Sequence, residues 1–185
     1  MGANAQVNGS IGGGFGTFLE LSSAGLSGGT VATLAGGTVY TADQPFADIP
    51  AGAIFGGDFL AAGPTSTSPA TLSFTGGGVD YISFLWGSPD TYNTLTVTTT
   101  GGVVTPFTTA TLGLPGDGNQ AFSQYVQFSA TGGGKITALT FSSPNIDAFE
   151  SANYSITAVP EPETYALMLA GLGAVGFMAR RRKSA

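Results

Sequence analysis

The sequence predicts an all-β fold: an antiparallel β-sandwich or jelly-roll-like domain over residues 7–158, followed by one C-terminal transmembrane α-helix over residues 164–179. Three observations carry this expectation. Short stretches alternate apolar and polar residues, as in Thr71-Leu72-Ser73-Phe74-Thr75 and Thr94-Leu95-Thr96-Val97-Thr98, and period two marks half-buried strands. Glycine is abundant, at 30 residues, and falls in runs such as Gly76-Gly77-Gly78 and Gly132-Gly133-Gly134, where tight turns are expected. No stretch before Thr164 keeps a helical period, whereas 164–179 is an apolar run without a polar face.

The elements follow in order. Met1–Gln6 has no basic start and no apolar stretch, yet Ala3-Asn4-Ala5 fits the small-x-small pattern that closes a signal peptide. Residues 1–6 are therefore expected to be the remnant of a signal-peptide cleavage region, with its basic and apolar parts upstream of Met1. Residues 7–63 hold short pieces bounded by glycine, at 14–21, 30–34 and 37–40, which read as short strands joined by turns. Gly12-Gly13-Gly14-Phe15-Gly16 has no following Lys-Ser/Thr and no helix pattern after it, so a phosphate loop is excluded. Val79–Gly87 is apolar on both faces, with Ile82, Phe84 and Trp86 on one side and Val79, Tyr81 and Leu85 on the other. Such a strand belongs at the centre of a sheet. Ser88-Pro89-Asp90 has turn chemistry, and a β-hairpin is expected across Gly87–Asn93. Phe122, Val126 and Phe128 share one parity, Gln124 being the exception, and strands are expected again at 135–141 and 151–157.

Composition narrows the function. Residues 1–158 set one cation, Lys135, against nine carboxylates, a local balance of −8. An acidic domain repels phosphate backbones, so nucleic acid is excluded as a partner. Cysteine and histidine are both absent, which removes disulfides, cysteine nucleophiles, Ser-His-Asp triads and conventional zinc sites.

Three kinds of site remain. A carboxylate pair such as Asp80 with Asp90 would suit a polysaccharide hydrolase, provided the two lie at the required separation; turn or surface roles are the commoner fate of such groups. Asp117 and Asn119, with Asn145 and Asp147, offer hard oxygen ligands for calcium, although loop Asx residues mostly bond their own backbone. Tyr81, Trp86 and Tyr92, with Asp90 and Asn93, could form a lectin-like glycan platform. Against that, Trp86 shares parity with Ile82 and Phe84 and so belongs to the core. A non-catalytic domain without a resident cofactor is the favoured expectation.

The tail has its own logic. Pro160 and Pro162 resist helix and central strand, so Val159-Pro160-Glu161-Pro162-Glu163 is expected to be an exposed, readable segment. The 16 residues from Thr164 to Ala179 would make a helix of about 24 Å at ~1.5 Å per residue, short of a typical span of ~20 residues. Arg180, Arg181, Arg182 and Lys183 follow directly. They can snorkel, and the positive-inside rule keeps them cytoplasmic. In order and position, residues 159–183 resemble the PEP-CTERM sorting signal of Gram-negative bacteria, which is recognised by the membrane enzyme exosortase. The resemblance implies export, transient anchoring in the inner membrane, processing near the Pro-Glu-Pro and delivery to the cell surface or matrix, commonly beside exopolysaccharide and biofilm production. The stretch Val79–Thr94 is similar to a segment of a group of such surface proteins and implies no activity.

Overall fold

A computed structural model describes residues 5–157. Among the described residues, fourteen strands, a 3-10 turn and one α-helical turn follow in chain order: β1 (Val7–Ile11), β2 (Thr17–Phe18), β3 (Leu21–Ser22), β4 (Gly25–Leu26), β5 (Ala32–Ala35), β6 (Thr38–Tyr40), the 3-10 turn (Phe55–Gly57), β7 (Phe59–Ala62), β8 (Ala70–Phe74), β9 (Tyr81–Gly87), β10 (Thr94–Thr99), β11 (Val104–Thr108), α1 (Thr109–Leu112), β12 (Ser123–Ala130), β13 (Ile136–Ser142) and β14 (Phe149–Ile156). They form two seven-stranded antiparallel sheets. One runs β1-β12-β9-β14-β7-β6, with β2 also paired to β14; the other runs β11-β10-β13-β8-β5-β4-β3. The all-β sandwich expected from alternation and glycine turns is the fold observed.

The core lies between the sheets, and aromatic side chains fill it. Phe84 is its hub: its ring lies 5.4 Å from Phe141 of the facing sheet and within 6.3 Å of Trp86, Phe128 and Tyr154. Ile82, Phe84 and Trp86 point inward together, as period two requires, and all seven residues of β9 are buried. β9 sits between β12 and β14, the central position its two apolar faces demand. Its outer face is covered twice. The glycine loop 12–16 crosses Tyr81 and Ser83, with Gly14 N–H donating to Ser83 Oγ at 3.0 Å. A Cβ on Gly13 would come within 2.5 Å of the Ser83 Cβ, and its φ of +108° already demands glycine. The strap of residues 41–57 covers Gly87, against which Pro50 packs, and the outer side of β14, where Ala47, Phe59, Ala61, Ala148 and Ala152 make a second, small core.

The expected hairpin across Gly87–Asn93 is corrected by the structure. β9 and β10 belong to different sheets, and residues 88–93 arch over the end of the sandwich. Alternation assigned the correct face to each strand but not its neighbour. Leu95 and Val97 look into the same core as Trp86, from the opposite side. Six intervening residues exceed the usual tight hairpin loop, and the arch is held by its own bonds, Ser88 N–H to the Phe122 carbonyl (2.9 Å) and Gly118 N–H to the Pro89 carbonyl (3.2 Å). The hairpin of this region is one strand later, β10–β11, closed by Thr99 N–H on the Val103 carbonyl.

β14 departs from simple alternation. Its register with β9 shifts between Ala152 and Ser155, and Asn153 there takes φ +52°. This bulge lets Phe149 and Tyr154 both face the core. Asparagine tolerates the left-handed region, and its side chain holds the strap: Oδ1 accepts from Ile54 N–H at 2.8 Å, and Nδ2 donates to the Gly52 carbonyl at 2.9 Å.

The two ends of the sandwich differ. One carries Ala5, the end of β14 and the turns 75–80, 99–103 and 131–135, drawn together by Val79↔Ile136 pairing and by Thr99 Oγ1 on the Ala5 carbonyl. The other carries the arch 88–93 and the loops 63–69, 113–122 and 143–148. The transmembrane helix expected over 164–179, like the motif 159–163 and the basic cluster 180–183, lies outside the described residues. Among the described residues no helix is long and apolar enough to cross a membrane.

The hub position of Phe84 sets an expectation. Phe84→Ala should lose about 3–5 kcal/mol of unfolding free energy. Val104→Ala, at a side chain 58% exposed, should stay within about 0.5 kcal/mol. Urea unfolding of both variants at unchanged slope checks this.

Candidate functional site

The arch end gathers most of the residues that could carry chemistry, because the crossing of β9 to β10 brings 88–93 beside the start of β14. Asp90 pairs with Asp117 through an isolated bridge. The Tyr92 hydroxyl donates to Asp90 Oδ2 at 2.6 Å and also reaches the Asp147 carbonyl at 3.2 Å. Burial, the Asp90 contact and the negative field of Asp90, Glu150 and Asp147 push the Tyr92 phenol upward, so it stays a donor. Asn93 is fully buried; its Nδ2 donates to the Ala148 carbonyl, and its Oδ1 has no partner among the described residues.

Below the arch sits Glu150, which the sequence reading only counted among the nine carboxylates of residues 1–158. It is 1% exposed, on the outer side of β14 under the strap. Ser88 Oγ donates to its Oε2 at 2.7 Å. Burial dominates and raises its carboxyl to about 8, against the smaller lowering by Ser88 and by the backbone of Asp48. Near neutral pH this group is therefore held largely as the neutral acid. A carboxylate between Phe149 and the strand expected at 151–157 was the available sequence signal. The Asn153 bulge kept period two from deciding its face.

The candidates from sequence are not gathered into one site. Trp86 is wholly buried and stacks on Phe149 with centroids 4.2 Å apart. Its indole N–H has no acceptor among the described residues. A glycan platform needs an exposed ring, so Trp86 does not supply one. Tyr81 lies toward the other end, covered by the Phe15 ring at 5.0 Å, with its hydroxyl on Gln127 Oε1 at 3.2 Å. Only Asp90, Tyr92 and Asn93 stay together.

Asp80 and Asp90 stand at opposite ends of β9. Seven strand residues at ~3.3 Å each put roughly 23 Å between them, well beyond the ~5–9.5 Å of glycosidase pairs. Asp80 is instead the partner of Lys135, at 2.9 Å. The calcium candidates fall in two loops whose oxygens are engaged locally. Asp147 Oδ1 and Oδ2 accept from the backbone and hydroxyl of Thr65 (3.1 and 2.6 Å), Asp117 Oδ1 from Asn119 N–H, and Asn119 Oδ1 from Ala121 N–H. Asn145 is exposed on the 143–148 loop. Among the described residues no group of three acidic side chains is arranged around a common point for a metal.

Val159, Pro160, Glu161, Pro162 and Glu163, with Arg180, Arg181, Arg182 and Lys183, lie outside the described residues, and here comparison with known proteins speaks. Residues 158–183 match the family described as the PEP-CTERM protein-sorting motif. The chain thus carries the signal of an exported protein that passes through the membrane, with exosortase as its processing partner. No curated protein and no solved structure matches the chain.

Glu150 gives this end a measurable signature. Its folded-state value near 8 lies above the ordinary 4.5, so the native state holds a proton that the unfolded chain releases. Stability from this group is complete below pH 4.5 and falls as pH rises toward 8. At ~1.4 kcal/mol per pK unit the loss is of the order of 5 kcal/mol at most. Glu150→Gln should flatten that fall and be the more stable protein at pH 8. Unfolding midpoints measured across this pH range for both proteins test it.

Proposed function

We propose that the chain is a non-catalytic surface or extracellular-matrix protein whose β-sandwich is delivered by its C-terminal signal. The carrying observation is the match of residues 158–183 to the sorting motif, directly after a folded domain that ends at Ile156. In this reading, residues 164–179 span the inner membrane in transit and 180–183 stay cytoplasmic. Exosortase acts near Pro160–Glu163, and the domain is released to the surface, in the company of exopolysaccharide or biofilm.

The absence of histidine and cysteine and the distance between Asp80 and Asp90 favour a non-catalytic role. Ser88 and Glu150, the closest approach to a catalytic couple, are both buried under the strap at 4% and 1% exposure, where a polymer has no access. The domain acts here through its surface, with no resident cofactor. The lectin-like alternative loses its best platform with the burial of Trp86, and calcium loses its ligands to loop bonds.

Intact-mass measurement of the protein released from cells is the test. A mature form ending before Thr164 is expected. A released form that still carries Arg180–Lys183 would refute processing. Deleting 180–183 should leave the protein unprocessed in the membrane fraction.

A further inference from the structure

The strand directions fix which end of the domain faces the bilayer during transit. This rests on the proposed anchoring by residues 164–179. β14 runs toward the end that carries the turns 75–80, 99–103 and 131–135, and it stops at Ile156. Only residues 158–163 separate Thr157 from the apolar run. Fully extended, six residues cover no more than about 22 Å, and the domain cannot stand far from the surface or turn over on so short a tether. The sandwich itself is longer than that: the eight residues of β14 at ~3.3 Å each set the two ends roughly 26 Å apart.

We propose that the domain sits on the lipid surface with this end inward and its arch end outward. The chemistry of the two ends agrees. Asp90, Asp117 and Asp147 crowd the arch end, while Lys135, the one cation of residues 5–157, is at the other, held to Asp80 at 2.9 Å. Glu20, whose carbonyl accepts from Ser27 N–H, is a carboxylate of the inward side outside that ion pair, and Asp43, Asp48 and Asp58 belong to the strap and its exit into β7. Anionic headgroups therefore meet the less acidic end, and the carboxylates of the arch stay in solvent. The inward turns Gly76-Gly77-Gly78, Gly101-Gly102 and Gly132-Gly133-Gly134 present little but backbone, which lets this end approach closely. Phe15, 52% exposed, adds an apolar ring there, one residue before Gly16, whose backbone packs against the Ile156 carbonyl.

The lack of cysteine makes a clean test possible. Val104, at the inward start of β11, and Ile146, on an arch-end loop, are both exposed aliphatic residues, at 58% and 53%. Val104→Cys and Ile146→Cys would each be made in the full chain, given a thiol-reactive fluorophore and reconstituted into vesicles of phosphatidylethanolamine and phosphatidylglycerol with a headgroup spin label in both leaflets. Severalfold stronger quenching at position 104 than at 146 is expected, with the difference lost in detergent micelles without the spin label. Equal quenching, or stronger quenching at 146, overturns the orientation while leaving the anchor intact. Failure of the full chain to float with the vesicles overturns the anchoring, and the orientation with it. Unchanged far-ultraviolet circular dichroism in both labelled variants excludes misfolding as the source of either result.

Discussion

Burial of both faces of β9 is the constraint on which the rest of the molecule depends. Ile82, Phe84 and Trp86 require a second sheet opposite them, and Phe141, Phe149 and Tyr154 meet them from the facing sheet and from β14. Tyr81, Ser83 and Leu85 require a cover as well, and among the described residues there is no third sheet. Irregular chain supplies it: a glycine loop thin enough to lie on Ser83, and a strap whose Ala47, Ile49 and Ala53 pack on the outer side. Fully apolar strands are buried on both sides, and this domain meets that rule with loops rather than helices.

A loop lying on a sheet brings backbone polar groups into a dry place, and each needs a partner. The polar residues of the outer face answer that need. Ser83 accepts from Gly14 N–H and shares a 2.7 Å bond with Ser155; Asn153 takes Ile54 N–H and the Gly52 carbonyl; Ser123 Oγ accepts from Ala51 N–H. Glu150 serves the same surface through Ser88 and the backbone of Asp48. A buried carboxyl in that position is neutral because desolvation outweighs the lowering hydrogen bonds from Ser88 and from the backbone. Its raised value follows from burial under the strap.

The sequence was informative about faces and less so about neighbours. Alternation gave the inward set of β8, β9 and β10, and the parity of Trp86 with Phe84 was enough to place its ring in the core. Strand pairing was not legible, because two half-buried strands in succession look the same whether they form a hairpin or cross between sheets. β7 is four residues long and β6 three, too short for a period to show. The strap has no period at all, and the bulge at Asn153 hides the facing of Glu150. Of the candidate sites, the tail was the most legible, since a sorting signal is read by another protein as sequence, without the fold that a constellation such as Asp90, Tyr92 and Glu150 needs.

Domain and tail are coupled more tightly than their chemistry suggests. β14 is a central strand, paired to β9 on one side and to β7 and β2 on the other. It is also the last strand, and the sorting motif begins two residues after it, at 158. The sheet cannot close until this final strand is in place, so the fold is complete only with the last residues before the signal. Once closed, the same strand is protected: Phe149 to Ser155 are all buried. A cut at the start of the matched residues 158–183 would remove the signal without touching a single strand of the sandwich.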